Sequence, residues 1–196
     1  MQSKDRSKVI AEVCDAIGRA DTLRAAAIVR SDYPFVKPAT SGRKATLVEA
    51  TQVFLRDGFV DRYAGTRLVY PPVLRLISQV IPDEFPFHPN WKMSECHVAY
   101  WELSATVDHV VPIARGGRDD ETNWVCTSML RNGVKSNWTL DELGWDLLPS
   151  GDLEQWDGLL GWFLKFTNSH KDILQQPYLR RWHSAAIRVR DKFARN

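Results

Sequence analysis

The sequence predicts an α+β fold, with a small strand-bearing centre between helical flanks. Apolar residues recur at helical spacing towards both ends of the chain. The middle instead concentrates β-branched and aromatic residues in "HVAYWELSATVDHVV". Proline-rich punctuation in "LVYPPVLRLISQVIPDEFPFHPNW" separates the two patterns. The expected organisation is an N-terminal helical segment over 1–45, a core over 46–145 and a C-terminal helical segment with a basic end over 146–196.

In chain order, Val9, Ile10, Val13, Ile17, Leu23, Ala26 and Ala27 predict one or two helices, broken near Gly18 and ended by Pro34. "KPATSGRK" reads as a loop, and "ATLVEATQVFLRDGF" returns to helical spacing before a turn. A short helix is expected around Pro72 to Val80, then irregular chain, then strands through "HVAYWELSATVDHVV". "NWVCTSMLRNGVKSN" reads as a helix beginning near Asn123, and Thr139 with Glu142 as the capping box of another. From Leu153 onward, "LEQWDGLLGWFLKFTNSH" and "LRRWHSAAIRVRDKFARN" predict two more.

Composition narrows the function classes. Hydrophobic content of 44% and charged content of 26% belong to a globular chain. A formal net charge of +2 leaves any basic surface to local clustering. Cys14, Cys96 and Cys126 form no CxxC pair, which points to a reducing compartment without disulfides or a thiolate zinc site. Charges interrupt the first residues, so no signal peptide or membrane span is expected, and the cytoplasm is the expected location.

The chemistry-bearing stretch is "ATVDHVVPIARGGRDDETNW" and the residues after it. Adjacent strand residues point to opposite faces, so Asp108 and His109 share a site only if the strand ends or bends there, as Pro112 suggests. The ordered set Asp108-His109, Pro112, Gly116-Gly117, Asp119-Asp120, Asn123, Asn132 and Lys135 resembles the HNH endonuclease family. From His109, the next key positions lie 14 and 23 residues on. The resemblance covers roughly 55–145 and implies a ββα-metal core flanked by the N- and C-terminal helices.

It further implies metal-dependent hydrolysis of a phosphodiester in nucleic acid, with DNA the favoured substrate. His109 is then the general base, since a neutral imidazole takes a water proton near neutral pH. Asn123 would orient it by accepting its second N–H. Asp108 and Asn132 offer hard oxygens to Mg2+ or Mn2+, and Lys135, about one turn past Asn132, would meet the phosphate. Many family members carry a zinc knuckle; here Asp61, Ala64, Ser128 and Arg131 stand where its four cysteines would be, within the frame Arg56, Asp57, Gly58 and Gly65. No structural zinc is therefore expected. Apolar packing between Leu68 and Trp101, with an Asp61–Arg131 pair, is expected to replace it.

Plainer readings suit other residues. His97 reads as a strand residue, His88 as loop packing, and His170 and His183 as helix or cap residues. Most tryptophans read as core, with Trp124 and Trp138 the candidates for base stacking. The end "RRWHSAAIRVRDKFARN" has six Arg/Lys against one Asp, and a helix would align Arg181, Arg188 and Arg195 for phosphate contacts. Lys4, Arg6 and Lys8 form a smaller basic cluster. Competing expectations are an RNA nuclease, a non-catalytic DNA-binding module, or a subunit of a larger defence or mobile-element assembly. A homodimer or partner protein would set whether one strand or two is cut.

Overall fold

The computed structural model describes residues 6–35 and 45–193, apart from the side chains of 191–193. The predicted loop at 37–44, Lys4 and Arg195 lie outside the described residues. The chain divides into two compact units, Met1–Pro38 and Ala39–Asn196.

The first unit is a pair of helices, α1 (Arg6–Gly18) and α2 (Thr22–Asp32). The expected break falls at Arg19 to Asp21, where Ala20 takes a positive φ of 60° and Asp21 caps α2 through Arg24 N–H at 2.9 Å. Val9, Ala16 and Ala25 are its buried residues. Arg6 lies 5.1 Å from the Tyr33 ring centroid, so it belongs to a local stack.

The second unit opens with α3 (Leu47–Arg56), started by a capping box: Glu49 N–H donates to the Thr46 hydroxyl at 3.2 Å and Thr46 N–H to the Glu49 carboxylate at 2.8 Å. Its Val53 and Phe54 are buried. The following turn needs Gly58: its φ is +64°, and a Cβ there would overlap the backbone of Gly151. Next comes α4 (Pro71–Val80), with prolines in its first turn where no N–H is needed.

Two short strands, β1 (Ala105–His109) and β2 (Trp124–Ser128), pair antiparallel in the register Ala105↔Ser128 to His109↔Trp124. Before them lies α5 (Ala99–Glu102), and after them α6 (Met129–Lys135), capped by the Ser128 hydroxyl. Helices α7 (Leu140–Leu143), α8 (Leu160–Ser169) and α9 (Pro177–Phe193) complete the unit. Thr139 and Glu142 form the expected capping box.

The flanking helices share one core with the hairpin. Tyr70 packs edge-on against Trp182 at 5.3 Å and against Phe163 at 5.7 Å, and its hydroxyl donates to the Trp182 carbonyl at 2.9 Å. Leu179, Trp182, Ala186 and Val189 form the buried stripe of α9. Residues of the C-terminal segment from Trp156 to Ala186 thus belong to the same hydrophobic core as 46–145. Mixed helix and a two-stranded sheet make the unit α+β.

Three local expectations are corrected. Residues 99–102 form a helical turn rather than strand, because Tyr100 is drawn under Phe85 and Phe87, and its hydroxyl reaches the Leu74 carbonyl at 3.0 Å. His97 is therefore no strand residue; it stacks on Phe85 at 4.1 Å and its Nδ1 accepts Ala99 N–H. Residues 124–128 form a strand, and the helix starts only at Met129: all five strand residues are buried, so no alternation betrays the strand. Residues 153–159 are not helical. Asp157 instead accepts the N–H groups of Leu159 and Gly161, holding a turn with positive φ at Gly158 and Leu159.

Candidate active site

The hairpin β1–loop–β2 followed by α6 gathers the predicted residues. The loop is fixed from within. Pro112 starts a 3-10 turn over Ile113–Arg115, and Gly116 ends it with φ 86°. A Cβ on Gly117 would overlap the Val111 carbonyl. Asn123 clamps this loop: its Oδ1 accepts Val111 N–H at 2.9 Å, and its Nδ2 donates to the Val111 and Arg118 carbonyls at 2.8 Å each. Those bonds use its amide, and its backbone carbonyl takes Val110 N–H, so Asn123 shapes the loop and does not orient the His109 ring as expected.

His109 ends β1, and its ring is held by two residues for which residue spacing predicts no such role. Its Nε2 lies 2.9 Å from Asp119 Oδ1 and 2.9 Å from Trp124 Nε1, and Trp124 Nε1 lies 3.3 Å from the same Asp119 oxygen. The indole nitrogen only donates. Trp124 Nε1–H donates towards both His109 Nε2 and Asp119 Oδ1; in the tautomer that protonates Nε2, an ionised Asp119 accepts from both rings. His109 Nδ1 then carries the lone pair, and no described residue occupies it. Trp124 is 4% exposed, so it packs and donates here and offers no face for stacking a base. Trp138, by contrast, is exposed.

Asp108 has separate partners. It is buried, and its Oδ2 accepts the Tyr63 hydroxyl at 2.7 Å and the Lys135 ammonium at 2.9 Å. Burial, and then the Asp108 carboxylate, push the Tyr63 phenol well above its usual pKa, so it remains a donor. Lys135 is 0% exposed and also donates to the His109 carbonyl at 2.7 Å. It is an internal strut between α6 and β1 and cannot meet a phosphate from this position. Asn132 Nδ2 donates to the Thr106 hydroxyl at 3.3 Å and the Val107 carbonyl at 3.2 Å. The adjacent Asp108 and His109 side chains therefore serve different clusters, as strand alternation dictates.

The donor set does not fit the expected divalent cation. Asp108, its only anionic member, already faces an ammonium 2.9 Å away, and a second cation on that carboxylate would meet direct repulsion. Among the described residues, no group of three or more His, Cys, Asp or Glu is arranged to hold a metal.

Two buried carboxylates, Asp57 and Asp61, join the turn after α3 to β2. Asp61 Oδ1 accepts Tyr63 N–H and the Thr127 hydroxyl at 3.0 Å each, and its Oδ2 accepts Ser128 N–H at 2.9 Å. Asp57 accepts from Arg62 at 2.8 Å, from Arg56 at 2.9 Å and from Cys126 N–H at 2.7 Å. The expected Asp61–Arg131 pair does not form: Arg131 lies 5.3 Å from the Trp145 ring centroid instead, and backbone N–H groups fill the Asp61 oxygens. Burial pushes the Cys126 thiol well up, so it serves as packing. Leu68, Val69, Tyr70, Val73 and Tyr100 do supply the apolar packing expected of that segment.

The remaining candidates lie elsewhere. Arg181 and Arg188 are exposed on α9, in a groove with Thr46 and Leu47 at the start of α3. His170 stacks on Phe166 at 4.2 Å, His183 lies 6.4 Å from the Phe163 ring, and His88 Nδ1 accepts Asn90 N–H. Comparison with protein-family models, curated proteins and solved structures gives no match. No described helix is long and apolar enough to cross a membrane.

No signal in the sequence points to the Asp119 and Trp124 contacts, because spacing cannot say which acidic residue of "RDDE" folds back onto His109. Trp124 becomes its neighbour only through the strand register.

Proposed function

We propose that this chain is an HNH-type endonuclease that hydrolyses a nucleic-acid phosphodiester, with DNA as its substrate. The observation carrying this reading is the Asp119–His109 pair at the hairpin mouth; with Nε2 protonated towards Asp119, the half-buried ring offers Nδ1 as the base. In the proposed step Nδ1 takes a proton from water, the water oxygen attacks phosphorus, and the bond to the leaving oxygen breaks. Asp119 holds the ring and stabilises the imidazolium that forms. The proposed step does not run through Mg2+ or Mn2+, because the Asp108 carboxylate faces the Lys135 ammonium and Asn132 alone offers a neutral oxygen.

Supercoiled plasmid incubated with Mg2+, Mn2+ or EDTA, beside His109→Ala, tests the reading. Nicked or linear product that disappears in His109→Ala is expected, and its form reports one-strand or two-strand cutting. Cleavage indifferent to the substitution would refute the role of His109. A second reading, a non-catalytic nucleic-acid-binding module, is favoured by the Asp108–Lys135 pair, which occupies the carboxylate a nuclease would give to its metal. Duplex binding without cleavage of DNA or RNA under any metal would select it.

A further inference from the structure

The described arginines of the second unit divide sharply. Arg56 and Arg62 pair with Asp57, Arg115 with Glu142 and Arg118 with Asp120, while Arg67, Arg75 and Arg131 lie over aromatic rings. Arg190 also has a partner. Among the described residues, that leaves Arg180, Arg181 and Arg188 with no ion pair or ring contact, and all three are exposed.

These same three line one groove of about 390 Å³ between α9 and the start of α3, with Thr46, Leu47 and Ser184 among its other walls. The α3 end carries both signs, since the Glu49 carboxylate accepts Thr46 N–H there. Its capping box satisfies the N–H of Glu49, but Leu47 and Val48 stand in the first turn, where N–H groups have no helical acceptor. Three guanidinium groups without an ion pair, lining one groove, form a receptor for phosphate oxygens.

We infer that this groove binds the phosphate backbone of a nucleic-acid strand, as an anchoring site separate from the His109 cluster. The choice of polyanion rests on the nucleic-acid reading above. The connecting element sets the offset. At its far end, α3 reaches the hairpin through Arg56, which donates to the Trp124 carbonyl at 2.5 Å, and Trp124 touches His109. A ten-residue helix spans about 15 Å, which is about four steps of duplex at 3.4 Å each. A strand held in the groove is thus engaged several nucleotides from the bond facing His109.

The test is binding of the full chain to a labelled 20-base-pair duplex in EDTA, across a potassium chloride series. Arg180→Gln/Arg181→Gln/Arg188→Gln should bind more weakly and flatten the slope of log affinity against log salt by about 2–3, roughly 0.9 for each phosphate no longer neutralised. The corresponding triple lysine variant, which keeps the charge, should retain most of the slope. An unchanged slope and affinity in the folded glutamine variant would overturn the proposal. So would inorganic phosphate stabilising the wild type but not the glutamine variant while duplex binding stays equal, since the groove would then take free phosphate. Duplex binding that depends on the arginines, beside no cleavage of DNA or RNA under any metal in the separate cleavage assay, would leave the groove standing and refute only the nuclease reading.

Discussion

Replacing Lys135 with Met separates an internal strut from a phosphate contact. The ammonium is wholly buried and joins two elements, reaching Asp108 and the His109 carbonyl on β1 from α6, with the Tyr63 ring 5.8 Å away. Lys135→Met keeps the length of the side chain but leaves the Asp108 carboxylate in a site 7% exposed, with the Tyr63 hydroxyl as its remaining donor. Breaking one side of a buried pair costs about 3–5 kcal/mol, because an uncompensated charge is left behind. At about 2–4 °C per kcal/mol for a chain of this size, Tm should fall by about 6–20 °C. Urea unfolding followed by circular dichroism reads the loss directly, as a lower midpoint at constant slope. Adding Asp108→Asn removes the stranded charge, so the double variant should lose about 1–3 kcal/mol less than the sum of the single losses. A Lys135→Met protein within about 1 kcal/mol of wild type would refute the buried strut. Lys135 would then be free to meet a phosphate, as the sequence suggests.

Three further outcomes follow from the same geometry. Asp61→Ala strands the N–H groups of Tyr63 and Ser128, while the Thr127 hydroxyl can turn elsewhere. A loss of about 2–6 kcal/mol by urea titration is expected, whereas EDTA should leave the wild-type Tm unmoved; unfolding by EDTA would reveal a structural metal. Asp119→Asn should lower kcat for cleavage about 10²-fold with duplex affinity unchanged, and an equal loss in both would mean that Asp119 merely supports the loop. Burial, and then Arg190, hold the His183 imidazole below its usual 6.5. The unfolded chain therefore takes up a proton below about pH 6.5 that the folded chain resists, so stability present above that pH is lost as pH falls. His183→Gln should flatten this dependence between about pH 5 and 7, and identical pH slopes would rule it out.

The residues differ in how far their roles could be read ahead of the fold. Helix starts carry local signals, and Thr46 with Glu49, Thr139 with Glu142 and the prolines of α4 act within one turn of their own chain. Gly117 and Asn123 likewise sit at the loop their spacing announces. The strand at Trp124 to Ser128 is hidden in the sequence because burial on every side removes the alternation that marks a strand. Tyr100 lies in a stretch with strand composition, yet contacts with Phe85, Phe87 and Leu74 make it helical.

By itself the sequence determined the α+β class, most helix boundaries, the loop between Asp108 and Asn123, and the absence of the four knuckle cysteines. These depend on residue type and on spacing within one or two turns of chain. Only the tertiary structure decided that Lys135 is buried on Asp108, that Asp61 holds β2 instead of Arg131, and that Asp119 reaches His109. It also decided that three arginines near the end of the chain share a groove with the first turn of α3. The physical reason is common to all four. Each is a charge whose neighbours are set by three-dimensional proximity, which is not written in the spacing of residues along the chain.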